Sequence, residues 1–341
     1  MVRMDYGDDE LFTSLAEESI EGWGRWNLQW GAELYHNDGF LIVTSQTMSP
    51  GMFEHDSFEL VKSRGVGPVR ISSEVLKRRF PAWAFDRYVD GFLSPRGGWV
   101  EADKVVARLV EQARAVGVLV TSGTSMVSLI EDGPRVGGVV TADGLQRRAD
   151  YVVVAAGPWT PTLLPYLQDV MWPVGQPVLY FRPENPADYR LPHFPPWAAD
   201  ISRTGWYGFP AMEDGVLKIS NHGSGRRMLP DASREVPPVE ERRFRRFLRE
   251  TFPSLADAPL IDSRYCLYCD TWDGNFWIDH DPDREGLVVA TGGSGHGFKF
   301  APVLGKLIAD VLERAPNPHT SRFSWRPRGE RKSERARHLE S

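Results

Sequence analysis

A chain of 341 residues, 41% apolar and 25% charged, can bury one large core or two linked ones, and at roughly 150 residues per domain two are expected. Its 32 glycines and 26 prolines fit a loop-rich globular enzyme rather than a low-complexity chain. A formal charge of −6 excludes a protein whose main work is binding nucleic acid, because the phosphate backbone calls for a net basic face. No apolar run approaches the ~18–20 residues of a membrane span, and the acidic, amphipathic start carries no secretory signal. The expected setting is therefore cytoplasmic, with no membrane partner. Cys266 and Cys269 are the two cysteines. They exclude a disulfide framework, and without a second Cys/His pair they make no zinc site, so no metal is expected.

Glu10 to Trp30 places Leu11, Leu15, Ile20, Trp23, Trp26 and Leu28 at helical intervals, which predicts an amphipathic helix. Gly39 to Thr44 reads as a buried strand, and short helices follow near Phe53–Lys62 and Ser73–Arg79, the second stopped by Pro81. Lys104–Val116 repeats Val105, Leu109 and Ala113 and stops at Gly117. Three β segments come next, Val118–Thr121, Met126–Glu131 and Val136–Thr141, with Asp-Gly turns between and after the last two. Tyr151 to Gly157 is a continuous apolar run ending in small residues, as expected of a parallel strand buried on both faces. From Pro173 to about Pro259 short β segments (Val178–Arg182, Trp206–Phe209, Val216–Ser220) alternate with Pro- and Gly-rich turns, and a highly charged helix closes the stretch at Val239–Thr251. Gly286 to Gly292 reads as a second buried strand, followed by a glycine-rich turn and a helix from Pro302 to about Glu313. The basic, polar tail, 326–341, is expected to be disordered.

The sharpest local signal is strand, Gly-Gly-Ser-Gly-His-Gly, helix, from Val288 to Ile308. Glycines after a strand let backbone approach a ligand, and the helix start offers N–H groups. A tight structural turn would look the same. The run is not a P-loop, and the fingerprint Gly-x-Gly-x-x-Gly opening a helix occurs nowhere in the chain. Cys266 could be a buried small hydrophobe or a reactive thiol. Lys218 and His222 share one face if their segment is extended, so they line either one cavity or a solvated sheet face. Lys299 stands between two aromatics at a helix start, where a cation opposes the dipole and wants an anionic partner.

Taken together, from Arg3 to about Leu312, the chain resembles the sarcosine oxidase group of the D-amino-acid-oxidase-like FAD-dependent oxidoreductases, which includes oxidases of N-methyl amino acids, pipecolate and fructosyl amino acids. The most specific stretch is Cys266-Leu267-Tyr268, then Phe276-Trp277-Ile278-Asp279-His280, then Gly293-Ser294-Gly295-His296-Gly297-Phe298-Lys299-Phe300. Met1 to Gly7, Tyr207-Gly208-Phe209-Pro210, Leu217-Lys218 through His222, and Val154 to Trp159 support it. The resemblance implies an α/β fold in two domains. A Rossmann-like FAD domain would combine 1–35, 98–172 and 261–315, and a substrate domain with a mixed or antiparallel sheet would combine 36–97 and 173–260. It implies FAD, attached in many members through a thioether at the cysteine matching Cys266, and contacted by Gly293, Ser294, Gly295, Gly297 and Lys299. It also implies Arg3, Lys299 and Tyr268 around the substrate, Tyr207 and His222 shaping the amine pocket, and Lys218 promoting reaction with oxygen.

The implied reaction is oxidation of a secondary or N-substituted amino acid to an imine, with O2 reduced to H2O2, by a monomer whose partners are small molecules. A fructosyl amino acid oxidase, faintly echoed by Phe323 to Arg326, and an amine dehydrogenase are the neighbouring readings. The sequence departs from the group in three places. Met1 falls just after the family's opening glycine fingerprint, so a block of roughly 30 residues or more is missing from the pattern. On that ground a catalytically inactive fragment, or a binding protein, is the reading from another class, with little bound FAD and poor solubility expected. Cys269 stands where threonine is usual, and Trp272-Asp273-Gly274 replaces the usual Pro-Asp turn, which touches the choice of substrate.

Overall fold

The strand Phe40–Thr44 (Phe-Leu-Ile-Val-Thr) is buried along its whole length, because both of its faces are covered. In this computed structural model, which describes residues 1–84 and 86–338, alternate residues of that strand feed two separate apolar clusters. Leu41 and Val43 enter one, Phe40 and Ile42 the other, as the two-residue period of a strand requires. The strand pairs antiparallel with Asp90–Ser94 (Ile42 opposite Phe92) and parallel with Trp197–Ala199 (Ile42 opposite Ala198). These strands belong to a nine-stranded mixed sheet that continues through Trp206–Gly208, Leu217–Asn221 and Met171–Phe181.

The described residues divide into two compact units. One comprises 1–100, 175–267 and the tail from Glu334; the other comprises 101–174 and 268–333. Residues 1–35, expected to go with the flavin domain, group with the first unit.

In the first unit the expected helix spans Glu10–Trp30. The Asp9 side chain accepts from the Phe12 N–H at its start, and Gly31 closes it in the left-handed conformation, φ 59°. Phe12, Leu15, Ala16, Ser19 and Trp23 form its buried stripe. The charged helix covers Pro238–Thr251 and buries Phe244, Phe247, Leu248 and Thr251, spaced at i, i+3, i+4 and i+7. Phe247 stacks on Trp206 at 4.1 Å. That packing anchors the helix to the sheet, and two of its arginines add to it, Arg243 lying 5.1 Å from the Trp206 ring centroid and Arg245 4.9 Å from that of Phe181.

The second unit holds two three-stranded sheets. Trp277–His280, Leu287–Thr291 and Val152–Val154 form one, the last pair parallel; Met126–Asp132, Arg135–Thr141 and Gln146–Arg148 form an antiparallel meander. Leu287 and Val289 point into a core with Val136, Val154, Met171 and Trp277.

Three expectations are corrected. Val118–Thr121 is no strand: among the described residues it joins no sheet, its Val118 N–H donates instead to the Ala113 carbonyl at 2.9 Å, and Leu119 is 81% exposed. The run from Tyr151 gives a strand only at Val152–Val154, and it is not buried on both faces, since Val153 is 39% exposed. The tail is held in place as far as His338. In the second unit Arg326 pairs with Asp273 at 2.7 Å and lies over the Trp277 ring, while in the first unit Ala336 is fully buried. Residues 339–341 lie outside the described residues.

Candidate active site

In the first unit, the strand Leu217–Asn221 runs antiparallel between Met171–Phe181 and Trp206–Gly208, with Lys218 opposite Tyr180 and Ser220 opposite Tyr207. Paired positions and alternate residues share a face, so Lys218, Ser220 and Tyr207 lie on the same side of the sheet. The Phe209 N–H donates to the Lys218 carbonyl at 3.0 Å. The Lys218 ammonium lies 5.1 Å from the Phe209 ring centroid, and the Tyr207 ring meets Phe209 edge-on at 6.1 Å. Burial lowers the Lys218 pKa below its ordinary value, and the Arg264 charge adds to this while Cys266 opposes it. Cys266 is exposed on Leu260–Thr271, a strand paired with Met171–Phe181.

His222 follows the same strand and is buried; its N–H donates to the Gly205 carbonyl at 2.6 Å. Its Nε2 lies 2.7 Å from Oε1 of Glu334. Burial depresses the imidazole pKa, and the Glu334 hydrogen bond and charge only partly counter that. Arg3 reaches the same carboxylate, Nη2 to Oε2 at 3.7 Å. Its position is fixed by the bridge in which Val2 and Gly98 exchange backbone hydrogen bonds, both 2.8 Å. Its guanidinium lies 5.1 Å from the Tyr6 ring centroid and 5.8 Å from that of Phe53, and donates to the Asp5 carbonyl. Arg3, His222 and Glu334 thus form a buried polar group, with the Tyr6 and Phe53 rings against the guanidinium.

The second unit carries the glycine-rich turn after Leu287–Thr291 and before the helix Ala301–Leu312. Gly292, Ser294 and Gly295 all take positive φ, 74°, 44° and 82°. Ser294 is held there by its N–H to the Cys269 carbonyl (2.9 Å), by the Thr271 N–H to its Oγ (3.2 Å) and by its Oγ–H to the Gly292 carbonyl (3.2 Å). A Cβ on Gly295 would run into the Tyr268 ring, and Tyr268 packs with Trp172 and Val174. His296 is buried with its Nε2 3.1 Å from the Gly274 carbonyl. Lys299 is buried, 5.8 Å from the Phe300 ring centroid. Burial pushes the Cys269 thiol up to about 11.

Among the residues singled out in the sequence, Tyr207, Lys218 and Cys266 gather around one sheet of the first unit, and Arg3 and His222 meet through Glu334. Tyr268, Gly293, Ser294, Gly295, Gly297 and Lys299 gather around one turn of the second. Sequence reasoning missed Glu334, which stands in a polar basic tail with no periodicity, and Phe209, whose Tyr-Gly-Phe-Pro setting was the available signal. Among the described residues no cluster of His, Cys, Asp or Glu could hold a metal ion, and no helix is long and apolar enough to cross a membrane.

The chain is similar to known proteins over most of its length. Residues 2–311 match the family described as DAO, FAD dependent oxidoreductase. The peroxisomal sarcosine oxidase of Mus musculus is 30% identical over 327 residues, 93% of this chain and 81% of that protein. The N-methyl-L-tryptophan oxidase of Yersinia pestis (strain Pestoides F) is 27% identical over 327 residues, 93% and 84% of the two chains. The solved structure of fructosyl amine:oxygen oxidoreductase (Amadoriase I) from Aspergillus fumigatus superposes with a TM-score of 0.78 at 25% identity, covering 95% of this chain and 76% of that one. With the match running over nearly its whole length, the chain belongs to the FAD dependent oxidoreductase family.

Proposed function

We propose that this chain oxidises a secondary or N-substituted amino acid to an imine, with FAD as cofactor and O2 as the oxidant reduced to H2O2. The observation that carries the reading is the buried pair Arg3 and His222, whose nitrogens converge on one carboxylate. A guanidinium taken out of water needs an anion, and an amino acid substrate brings one. The sarcosine and N-methyl-L-tryptophan oxidases among its relatives support the substrate class.

The residues of the turn fit a flavin. Gly292 and Gly295 are required by backbone conformation, but Gly293 and Gly297 have no positive φ, and a Cβ on either would meet nothing closer than 3.5 Å. Among the described residues nothing demands glycine at those two positions, whereas a flat ring against the backbone would. Gly293, Ser294, Gly295 and Gly297 would hold the cofactor, the exposed Cys266 would be its covalent attachment point, and the unit of 101–174 and 268–333 would be its domain. The chemistry FAD supplies when bound is hydride acceptance from the carbon next to nitrogen. Of the first unit's own groups, Arg3 would bind the carboxylate, His222 would reach that carboxylate and, with Tyr207, bound the amine side, and Lys218 would supply fixed positive charge for oxygen reduction; in the second unit Lys299 and Tyr268 stand by the glycine-rich turn.

The test offers N-methylglycine, N-methyl-L-tryptophan and a fructosyl amino acid to the flavin-loaded protein and follows oxygen uptake and peroxide. Peroxide from an N-methyl amino acid is the expected result. The likeness to Amadoriase I favours a fructosyl amino acid as the second reading, and turnover of that substrate alone would establish it. Reduction of a dye without oxygen uptake would make the protein a dehydrogenase, and no turnover of any of the three would overturn the reading. Covalent attachment is tested apart from activity: acid-precipitated protein should keep its yellow colour when Cys269 is replaced by serine and lose it in Cys266→Ser.

A further inference from the structure

We propose that the segment Glu334–His338 is a built-in, displaceable occupant of the substrate-carboxylate site, the Glu334 carboxylate standing where that of an amino acid would bind. The proposal rests on the reading of Arg3 and His222 given above. One carboxylate oxygen is hydrogen-bonded and the other ion-paired: Oε1 lies 2.7 Å from Nε2 of His222, and Oε2 lies 3.7 Å from Nη2 of Arg3. The side chains of Glu334, Arg3 and His222 are 5%, 7% and 7% exposed, so the group is sequestered from water. A second carboxylate cannot reach His222 Nε2 while Glu334 occupies it, and two carboxylates beside Arg3 would repel.

The segment is fastened residue by residue. Arg335 pairs with Asp8 at 2.6 Å and with Asp56 at 2.8 Å, and donates to the Gly51 carbonyl at 2.8 Å. Ala336 is fully buried in the cluster of Phe40, Ile42, Phe53 and Ala198. Arg337 donates through Nε to the Gly223 carbonyl at 3.0 Å, and the His338 N–H donates to the carbonyl of His222 itself at 3.1 Å. Residues 327–332, just before it, are exposed and form no helix or strand. A short tether gives the carboxylate an effective concentration on the order of mM at its site. Substrate must outcompete it, and the affinity observed is the intrinsic one reduced by the fraction of protein whose tail is out. The segment thereby sets the substrate concentration at which the enzyme responds, and a partner that captured it would raise the affinity.

The experiment titrates acetate, a carboxylate with no oxidisable C–N bond, into the full-length protein and into Glu334→Gln and Ala336→Arg, by calorimetry. The second variant unseats the anchor without touching the carboxylate. Both should bind acetate about tenfold more tightly than the parent, and a synthetic peptide covering residues 330–338 should compete with acetate on Ala336→Arg. Unchanged affinity in either variant overturns the proposal. Arg3→Met placed in the Ala336→Arg protein separates the two levels. If it abolishes acetate binding while neither tail variant strengthens it, the carboxylate site stands and the occupant is wrong. If acetate binds the Arg3→Met protein as before, the carboxylate reading fails and the proposal with it.

Discussion

Gly295 lies directly against the ring of Tyr268, in a left-handed conformation with φ 82°, so that a side chain of any size would overlap the ring carbons. Strain and overlap therefore act together in Gly295→Ala. The substitution should cost about 2–4 kcal/mol of stability, measured by urea unfolding. Tyr268→Ala in the same chain should recover the overlap part and leave the backbone part, so the double-mutant cycle should show coupling of at least about 1 kcal/mol. Strict additivity would mean that the ring does not enforce glycine.

The two cysteines should differ sharply in reactivity. Cys266 is exposed, whereas Cys269 is buried and its thiol is pushed up to about 11 by that burial. Because the thiolate is the reactive form, titration of the folded, flavin-free protein with a disulfide reagent at pH 8 should modify Cys266 within minutes, whereas a flavin joined at Cys266 should block that reaction. Cys269 should react slower by a factor of about 100 or more, until denaturant is added. Equal rates would show that Cys269 is open to solvent.

How much of this could be read from the chain depends on whether the determining contacts are local. The helix Glu10–Trp30 was legible because its stripe, its Asp9 start and its Gly31 stop lie within the segment. The turn 292–297 was legible because glycine reports backbone conformation directly. The parallel pairing of Trp197–Ala199 with Phe40–Thr44 joins strands more than 150 residues apart, and neither announces the other. Val118–Thr121 had the composition of a strand but joins no sheet among the described residues. Glu334 was hidden for a further reason: a single carboxylate in a basic tail is the ordinary texture of solvated chain, and only the distant Arg3 and His222 give it a place.

The carboxylate of Asp90 ties together a loop and two strands. It accepts from the Met48 N–H (2.9 Å), the Gly91 N–H (2.9 Å) and Arg70 Nε (2.8 Å). Burial alone would raise its pKa, but the Arg70 side chain and the two N–H groups outweigh burial and hold it below the usual carboxylate value. A carboxyl lowered in the folded state stabilises the fold fully above its unfolded pKa of about 3.9 and ceases to do so as pH falls through the folded value. Asp90→Asn should thus cost about 1–3 kcal/mol at pH 7 and flatten the loss of stability below pH 4. An unchanged acid limb in urea-unfolding midpoints measured from pH 7 to pH 2.5 would remove Asp90 from the acid response.

Lys218 should act on the reaction with oxygen and not on amino acid oxidation. Its ammonium is pinned over Phe209 and beside Cys266, and burial lowers its pKa below the ordinary value of about 10.4. A cation held in place stabilises the negative charge that develops as oxygen is reduced, without reorganising at the moment of reaction. Lys218→Met should therefore slow oxygen-dependent turnover by about two orders of magnitude or more, while anaerobic bleaching of the flavin by substrate changes much less. The sign of the pH dependence follows from the direction of the shift. The charge is present below the folded pKa and is lost as pH rises through it, so the oxygen reaction of the parent should decline at a lower pH than an unperturbed lysine would give. Lys218→Arg, whose charge persists, should remove that decline. Stopped-flow measurement of the two half-reactions from pH 7 to pH 10.5 decides the matter. Equal slowing of both in Lys218→Met, with no change in the alkaline limb, would mean that Lys218 only supports the sheet.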